Sequence, residues 1–126
     1  MGDEIGKASA LKMCYAAYSK GTTALLAAIL ATAETLGVQD DLFSHWERDD
    51  AGFSERVQKR VTAAFSKSWR FEGEMMEIAA TFQEAGLPTG FHKSAAEIYR
   101  RMAYLRDQQS AASFSQILNS LANSKE

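Results

Sequence analysis

Apolar residues in this chain recur at intervals of three, four and seven, the spacing of one face of a helix, and no run alternates as a strand would. The longest such pattern runs from about Gly6 to Leu36 without a proline, and Gly37 is placed to end it in the left-handed conformation. Along it, Leu11, Tyr15, Tyr18, Thr22, Leu25, Ile29 and Leu36 share one stripe. Ala10, Ala17, Gly21, Ala24, Ala28 and Ala31 make neighbouring surfaces that other helices could approach closely. A second helix is predicted over Asp40 to Glu47, burying Leu42, Phe43 and Trp46. After a turn at Asp49 to Gly52, with Ser54 as N-cap, a third runs from about Glu55 to Ser68, with Val57, Val61, Ala64 and Phe65 inward. A fourth spans about Phe71 to Ala85 and buries Met75, Ile78, Ala79 and Phe82. The strongest break follows at Gly86-Leu87-Pro88-Thr89-Gly90, where a terminating glycine meets a proline that cannot continue a helix. The fifth helix, about Phe91 to Asp107, carries Ala95, Ile98, Tyr99, Met102 and Leu105 on its apolar side. Ser113-Phe114-Ser115-Gln116 has the form of a capping box that opens a last helix through Leu121, with a frayed tail from Ala122 to Glu126. The expected fold is therefore all-α, a single domain over residues 1–126, with about six helices built on one long N-terminal helix.

That first helix has a geometric consequence. About thirty residues make a rod of roughly 45 Å, whereas a compact domain of this length has a radius of gyration of about 14 Å. The rod must either kink, with Gly21 the natural place, or project beyond its own bundle. If it projects, its alanine-rich and aromatic surface needs a cover, and a second copy related by two-fold symmetry is the simplest. A homodimer through the first helix is expected.

Composition narrows the classes. With 46% hydrophobic and 24% charged residues the chain reads as an ordinary globular protein. The net charge is −2 and no basic stripe occurs, which argues against nucleic acid. Lys59-Arg60 and Arg100-Arg101 share their helices with acids and read as solvated faces. Ala24 to Ala33 is too short and too mild to cross a bilayer. The start is polar and acidic, without a signal pattern, so a cytoplasmic location is expected. Cys14 stands alone, which excludes an internal disulfide and a thiolate metal cluster.

Candidate chemistry concentrates on the first helix. Lys12, Ser19 and Thr23, at spacings of seven and four, share one face, with Ala16 between them and Lys20 beside them. A lysine in a helix otherwise built for burial suits proton transfer if desolvated; the alternative is that it snorkels to the surface and does nothing. His45 and His92 are too far apart to suggest a metal; His45 reads as structural and His92 as a surface residue. Glu74 and Glu77 read as solvated acids, because the Glu-x-x-His pattern of di-iron bundles is missing. Met75 and Met76 read as core filler, Trp46 and Trp69 as core or interface anchors, and Cys14 as a small buried residue.

The segment Gly6-Lys7-Ala8-Ser9-Ala10-Leu11-Lys12-Met13-Cys14-Tyr15 resembles the start of the C-terminal helical domain of β-hydroxyacid dehydrogenases and 6-phosphogluconate dehydrogenase, where Gly-x-Gly-x-x-x-Lys-x-x-x-Asn opens the long helix. The likeness continues through Lys20-Gly21-Thr22-Thr23-Ala24-Leu25-Leu26 and Ala33-Glu34-Thr35-Leu36-Gly37-Val38. Phe71 to Ala79, Gly86-Leu87-Pro88 and Gly90-Phe91-His92 are similar to a little-characterised branch of that superfamily. Two positions depart: Ala8 replaces the second glycine, and Ala16 replaces the asparagine. The lysine-aspartate pair of many relatives is not evident, and Glu72, Glu74 and Glu77 occupy that region.

The resemblance implies that Lys12 is the general acid/base beside the nicotinamide and that the long helix forms both cleft and dimer contact. Ser19, Lys20, Thr23 and His92 would line the substrate side, and the contact of the missing asparagine is either lost or supplied by Ser19, Lys20 or Tyr15. The full-length family uses NAD or NADP. No Gly-x-Gly-x-x-Gly turn follows a strand here, so the nucleotide-binding domain is expected to be absent from the chain, which would bind no cofactor and show no activity alone. The other reading is a stand-alone helical dimer without catalytic duty; a small ligand-binding bundle is a third.

Overall fold

A computed structural model describes residues 2–109 and 111–122. Six α-helices follow one another: α1 (Gly2–Thr35), α2 (Gln39–Asp49), α3 (Phe53–Phe65), α4 (Ser68–Glu84), α5 (Gly90–Gln108) and α6 (Phe114–Ala122). The all-helical reading holds, with no strand among the described residues. Expected fraying beyond Ala122 falls outside those residues.

Local chemistry explains most boundaries. At Gly37, with φ +75°, the amides of Gly37 and Val38 donate to Glu34 and Ala33 and close the end of α1. Gly86, with φ +85°, repeats the arrangement at the end of α4, where Gly86 and Leu87 donate to Gln83 and Phe82. In both, a left-handed residue satisfies carbonyls that the helix would otherwise leave open, which favours glycine. The capping box before α6 is present. The Ser113 amide donates to Gln116 Oε1 at 2.8 Å, and the Gln116 amide donates to Ser113 Oγ at 3.1 Å.

The start of α3 differs from expectation. Ser54 is not its N-cap but lies buried in the first turn, with Gly52 at the cap position. The capping is done from α2, where the Glu47 carboxylate accepts from the amides of Gly52 (2.8 Å) and Ser54 (3.1 Å). Those amides hold the Glu47 carboxyl below the usual carboxylate range. No residue of α2 is fully buried: Leu42, Phe43 and Trp46 are half-buried, and Trp46 stacks edge-on to Phe53 at 4.9 Å.

Every other helix touches α1. α4 and α5 form the tightest pair, α3 packs against α5 and α6, and α6 returns to lie along α1. The core draws Ala24, Ala27, Leu30 and Ala31 from α1, Val57 and Val61 from α3, Met75 and Ile78 from α4, Tyr99 and Met102 from α5, and Ile117 and Leu118 from α6. Phe82, Ile98 and Leu105, expected inside, are only half-buried at its edge.

The question of kink or projection is decided. α1 starts at Gly2, earlier than expected, and runs 34 residues without interruption, about 51 Å. From Glu4 to Lys12 every residue is exposed, and the first buried one is Ala16. The first third of the helix therefore overhangs the bundle, and the helix runs through Gly21 without a break.

Candidate functional site

At about 100° per residue, Leu30 lies five full turns from Lys12 and points the same way. Leu30 is completely buried and Thr23, nearly aligned, is buried too. Lys12 thus occupies the bundle-facing side of α1, one turn beyond Ala16, where the bundle has ended. It is exposed, and among the described residues it makes no hydrogen bond or ion pair.

About 10 Å further along the axis the structure brings Ser19, Lys20 and Thr23 into one polar cluster. Arg60 reaches across from α3: its Nε donates to Thr23 Oγ1 and its Nη2 to the Ser19 carbonyl, both at 2.6 Å. The Thr23 hydroxyl itself donates to the Ser19 carbonyl at 2.9 Å. Tyr99, fully buried on α5, donates its hydroxyl to the Lys20 carbonyl at 2.6 Å. The Lys20 ammonium donates to both Glu74 oxygens at 3.0 Å and lies 4.9 Å from the centre of the Phe71 ring. Burial pushes the Tyr99 phenol well above its ordinary range; the Arg60 guanidinium works against this and the Glu74 carboxylate with it. The phenol therefore remains a donor at any physiological pH.

Several sequence expectations are corrected here. Arg60 is not on a solvated face: it is half-buried and bonded to α1. Glu74 is not merely a solvated acid but the partner of Lys20. Both were visible as charges on a buried stripe, since Arg60 falls between Val57 and Ala64, and Glu74 between Phe71 and Ile78, at spacings of three and four. Cys14 is exposed, because it sits on the overhang. Trp69 and Met76 are also exposed.

His92 is buried, not at the surface, and lies apart from Lys12 on another flank of α1. Its Nε2 donates to the Ala17 carbonyl at 3.1 Å, and its ring packs edge-on to Phe82 with centroids 4.8 Å apart. Gly21 permits that approach, since a Cβ there would lie 2.6 Å from His92 Nε2. His92 Nδ1 is buried without a partner. The ring also borders an open, mainly apolar groove of about 850 Å³ between α1 and the start of α5, lined by Leu25, Ala28, Phe91 and Ile98 and edged by Glu97 and Arg101. Glu97 is held at a pKa of about 2 by hydrogen bonds from Arg100 and then Arg101. Ser19, Lys20 and Thr23 do not line this groove.

The outward stripe of α1 is the other prominent surface. Leu11, Tyr15, Tyr18, Leu25 and Leu36 are each at least 60% exposed, and Phe91 and Leu87 continue the apolar surface beside the groove. Among the described residues, no group of three or more His, Cys, Asp or Glu side chains could hold a metal. No described helix is long and apolar enough to cross a membrane.

Comparison with known proteins gives a family. A Methanothermus fervidus protein described as an uncharacterized 28.5 kDa protein in the 7S RNA 5′ region is 33% identical over 79 residues, covering 62% of this chain and 32% of that protein. The chain thus spans about a third of that relative's length. No solved structure matches. The family described as Domain of unknown function (DUF1932) matches residues 33–102, from the end of α1 through most of α5. The chain belongs to this family, a C-terminal helical domain associated with 6-phosphogluconate dehydrogenase-like proteins.

Proposed function

We propose that this chain is the substrate-side and dimerisation domain of an NAD(P)-dependent dehydrogenase acting on a hydroxyacid-type substrate, and that it is inactive alone. The observation that carries the reading is Lys12, held on the bundle-facing side of a helix that has outrun its bundle. A lysine there has a free amine and an open space in front of it, and a neighbouring domain would turn that space into a cleft. In this reading a nucleotide-binding domain that these residues do not supply would hold NAD or NADP, which would supply hydride-transfer chemistry next to Lys12. Lys12 Nζ takes the proton from the substrate hydroxyl as the hydride leaves the carbon. Lys20, neutralised by Glu74, and Ser19 and Thr23, bonded to Arg60, shape the near wall. Their placement supports a structural share in the cleft more than direct substrate contact. His92, on the other flank, supports α1 from behind.

The test joins the chain to a nucleotide-binding domain of the same superfamily and compares Lys12→Ala with the parent. Turnover of a hydroxyacid substrate should fall about 10³-fold, while cofactor affinity stays unchanged. Unaltered turnover would remove Lys12 from the chemistry. The exposed stripe of α1 and Ala16 at the asparagine position favour a second reading, a helical dimer with no catalytic duty; unaltered turnover in Lys12→Ala together with self-association would support it.

A further inference from the structure

Three side chains from two helices donate to carbonyls within four consecutive residues of α1. His92 bonds Ala17 O at 3.1 Å, Arg60 bonds Ser19 O at 2.6 Å, and Tyr99 bonds Lys20 O at 2.6 Å. These carbonyls sit mid-helix, so each incoming donor adds to the backbone bond the oxygen already accepts, and at Ser19 the Thr23 hydroxyl shares the oxygen as well. Ala17 and Lys20, three residues apart, share the face of α1 that meets α5, whereas Ser19 is turned toward α3, so the donors approach α1 from two sides. Together they oppose both rotation and tilt. Apolar side chains could have packed the helices together at lower desolvation cost. What hydrogen bonds add is direction. The collar also stands at a telling level, just below Ala16, where burial of α1 ends.

We infer that Arg60 and Tyr99 are positioning residues: they form a fulcrum that fixes the direction in which α1 leaves the bundle, and thereby the place of Lys12. Leverage makes the demand strict. Over the roughly 10 Å between residues 19 and 12, a tilt of about 5° displaces Lys12 by about 1 Å. A displacement of that size can cost about 10²-fold in rate. The catalytic part of this inference rests on the role proposed for Lys12; the mechanical part does not.

The mechanical part is tested on the chain itself. A nitroxide label on Cys14, the single cysteine and exposed on the overhang, is paired with a second on Gln83→Cys, exposed on α4. Excess unlabelled chain restricts the signal to pairs within one molecule. The parent should give one narrow distance distribution. Tyr99→Phe, which keeps the packing of the ring, and Arg60→Met should broaden or shift it while helical content is retained, and Arg60→Lys should recover part of the loss. Should Arg60→Met fail to fold, Tyr99→Phe decides alone. Unchanged distances in folded variants would overturn the inference, because a side chain that only added stability would lower the unfolding midpoint and leave the direction of the helix alone.

The catalytic part uses the fusion to a nucleotide-binding domain. There Tyr99→Phe and Arg60→Met should lower kcat about 10²-fold with the cofactor KM unchanged. If Lys12→Ala is harmless and the distances still broaden, the role of Lys12 fails and the fulcrum stands. If Lys12→Ala is severe while distances and kcat ignore Arg60 and Tyr99, the fulcrum fails.

Discussion

Residues 16–33 and residues 4–15 are turns of one helix, yet they live in different environments. The later turns place Ala24, Ala27, Leu30 and Ala31 against α3, α4, α5 and α6; the earlier ones expose every side chain from Glu4 to Lys12. Both are rich in helix formers, so backbone propensity does not separate them. What separates them is whether a partner exists for the inner face. The packed turns owe their stability to burial. The overhanging turns are helical because they extend an existing nucleus, adding one hydrogen bond for each residue fixed. Among residues 4–15, Met13 alone packs half-buried against the core, while Leu11 and Tyr15 stay exposed.

Truncation in the two regions should expose this contrast most strongly. Leu30→Ala, inside the core, should cost about 2–5 kcal/mol in denaturant unfolding. Leu11→Ala, on the overhang, should cost about 0.5 kcal/mol or less and should instead weaken self-association in sedimentation. Equal losses would mean that the overhang is covered within the monomer.

Gly21 lies within the packed turns, and its substitution should have the next largest effect. Gly21→Ala forces a Cβ to within 2.6 Å of the buried His92 ring; repacking should cost about 1–3 kcal/mol, although alanine favours the helix by up to about 1 kcal/mol. A net gain in stability would show that His92 yields easily.

The smallest effect should be electrostatic. Glu97 has a depressed carboxyl, so its contribution is present above the ordinary value of 4.5 and is lost as pH falls toward about 2. Its side chain is 38% exposed, which reduces that contribution to about 0.5–1 kcal/mol. Glu97→Gln should flatten the acid limb of the stability profile between pH 4.5 and 2.

The same contrast shows what could be read from the sequence. Gly37, Gly86 and the Ser113–Gln116 box announced their boundaries because each is solved by a few neighbouring residues. The face that α1 buries was harder to read, because it is apolar all round. Its large side chains, Leu11, Tyr15, Tyr18 and Leu25, point outward, while alanines face the core, since small residues let neighbouring helices come close. Overhang was expected from length alone, as one of two outcomes. The collar was not expected. Arg60 reaches Ser19 over 41 positions and Tyr99 reaches Lys20 over 79, and a charge on a helical stripe does not say what lies opposite. His92 was misplaced for the same reason: its burial depends on the missing side chain of Gly21, far away along the chain. Ser54 was read as a cap by its type, but the Glu47 carboxylate had taken that work.

The return of α6 to α1 bears on how the molecule is made. Ile117, Leu118 and Leu121 are buried, and Arg101 Nη1 donates to the Leu121 carbonyl at 2.6 Å, which fastens the end of α6 to α5. During synthesis α1 emerges before α6, one of the surfaces that shields it. Until residues near 121 are free of the ribosome, the alanine face of α1 lacks that cover.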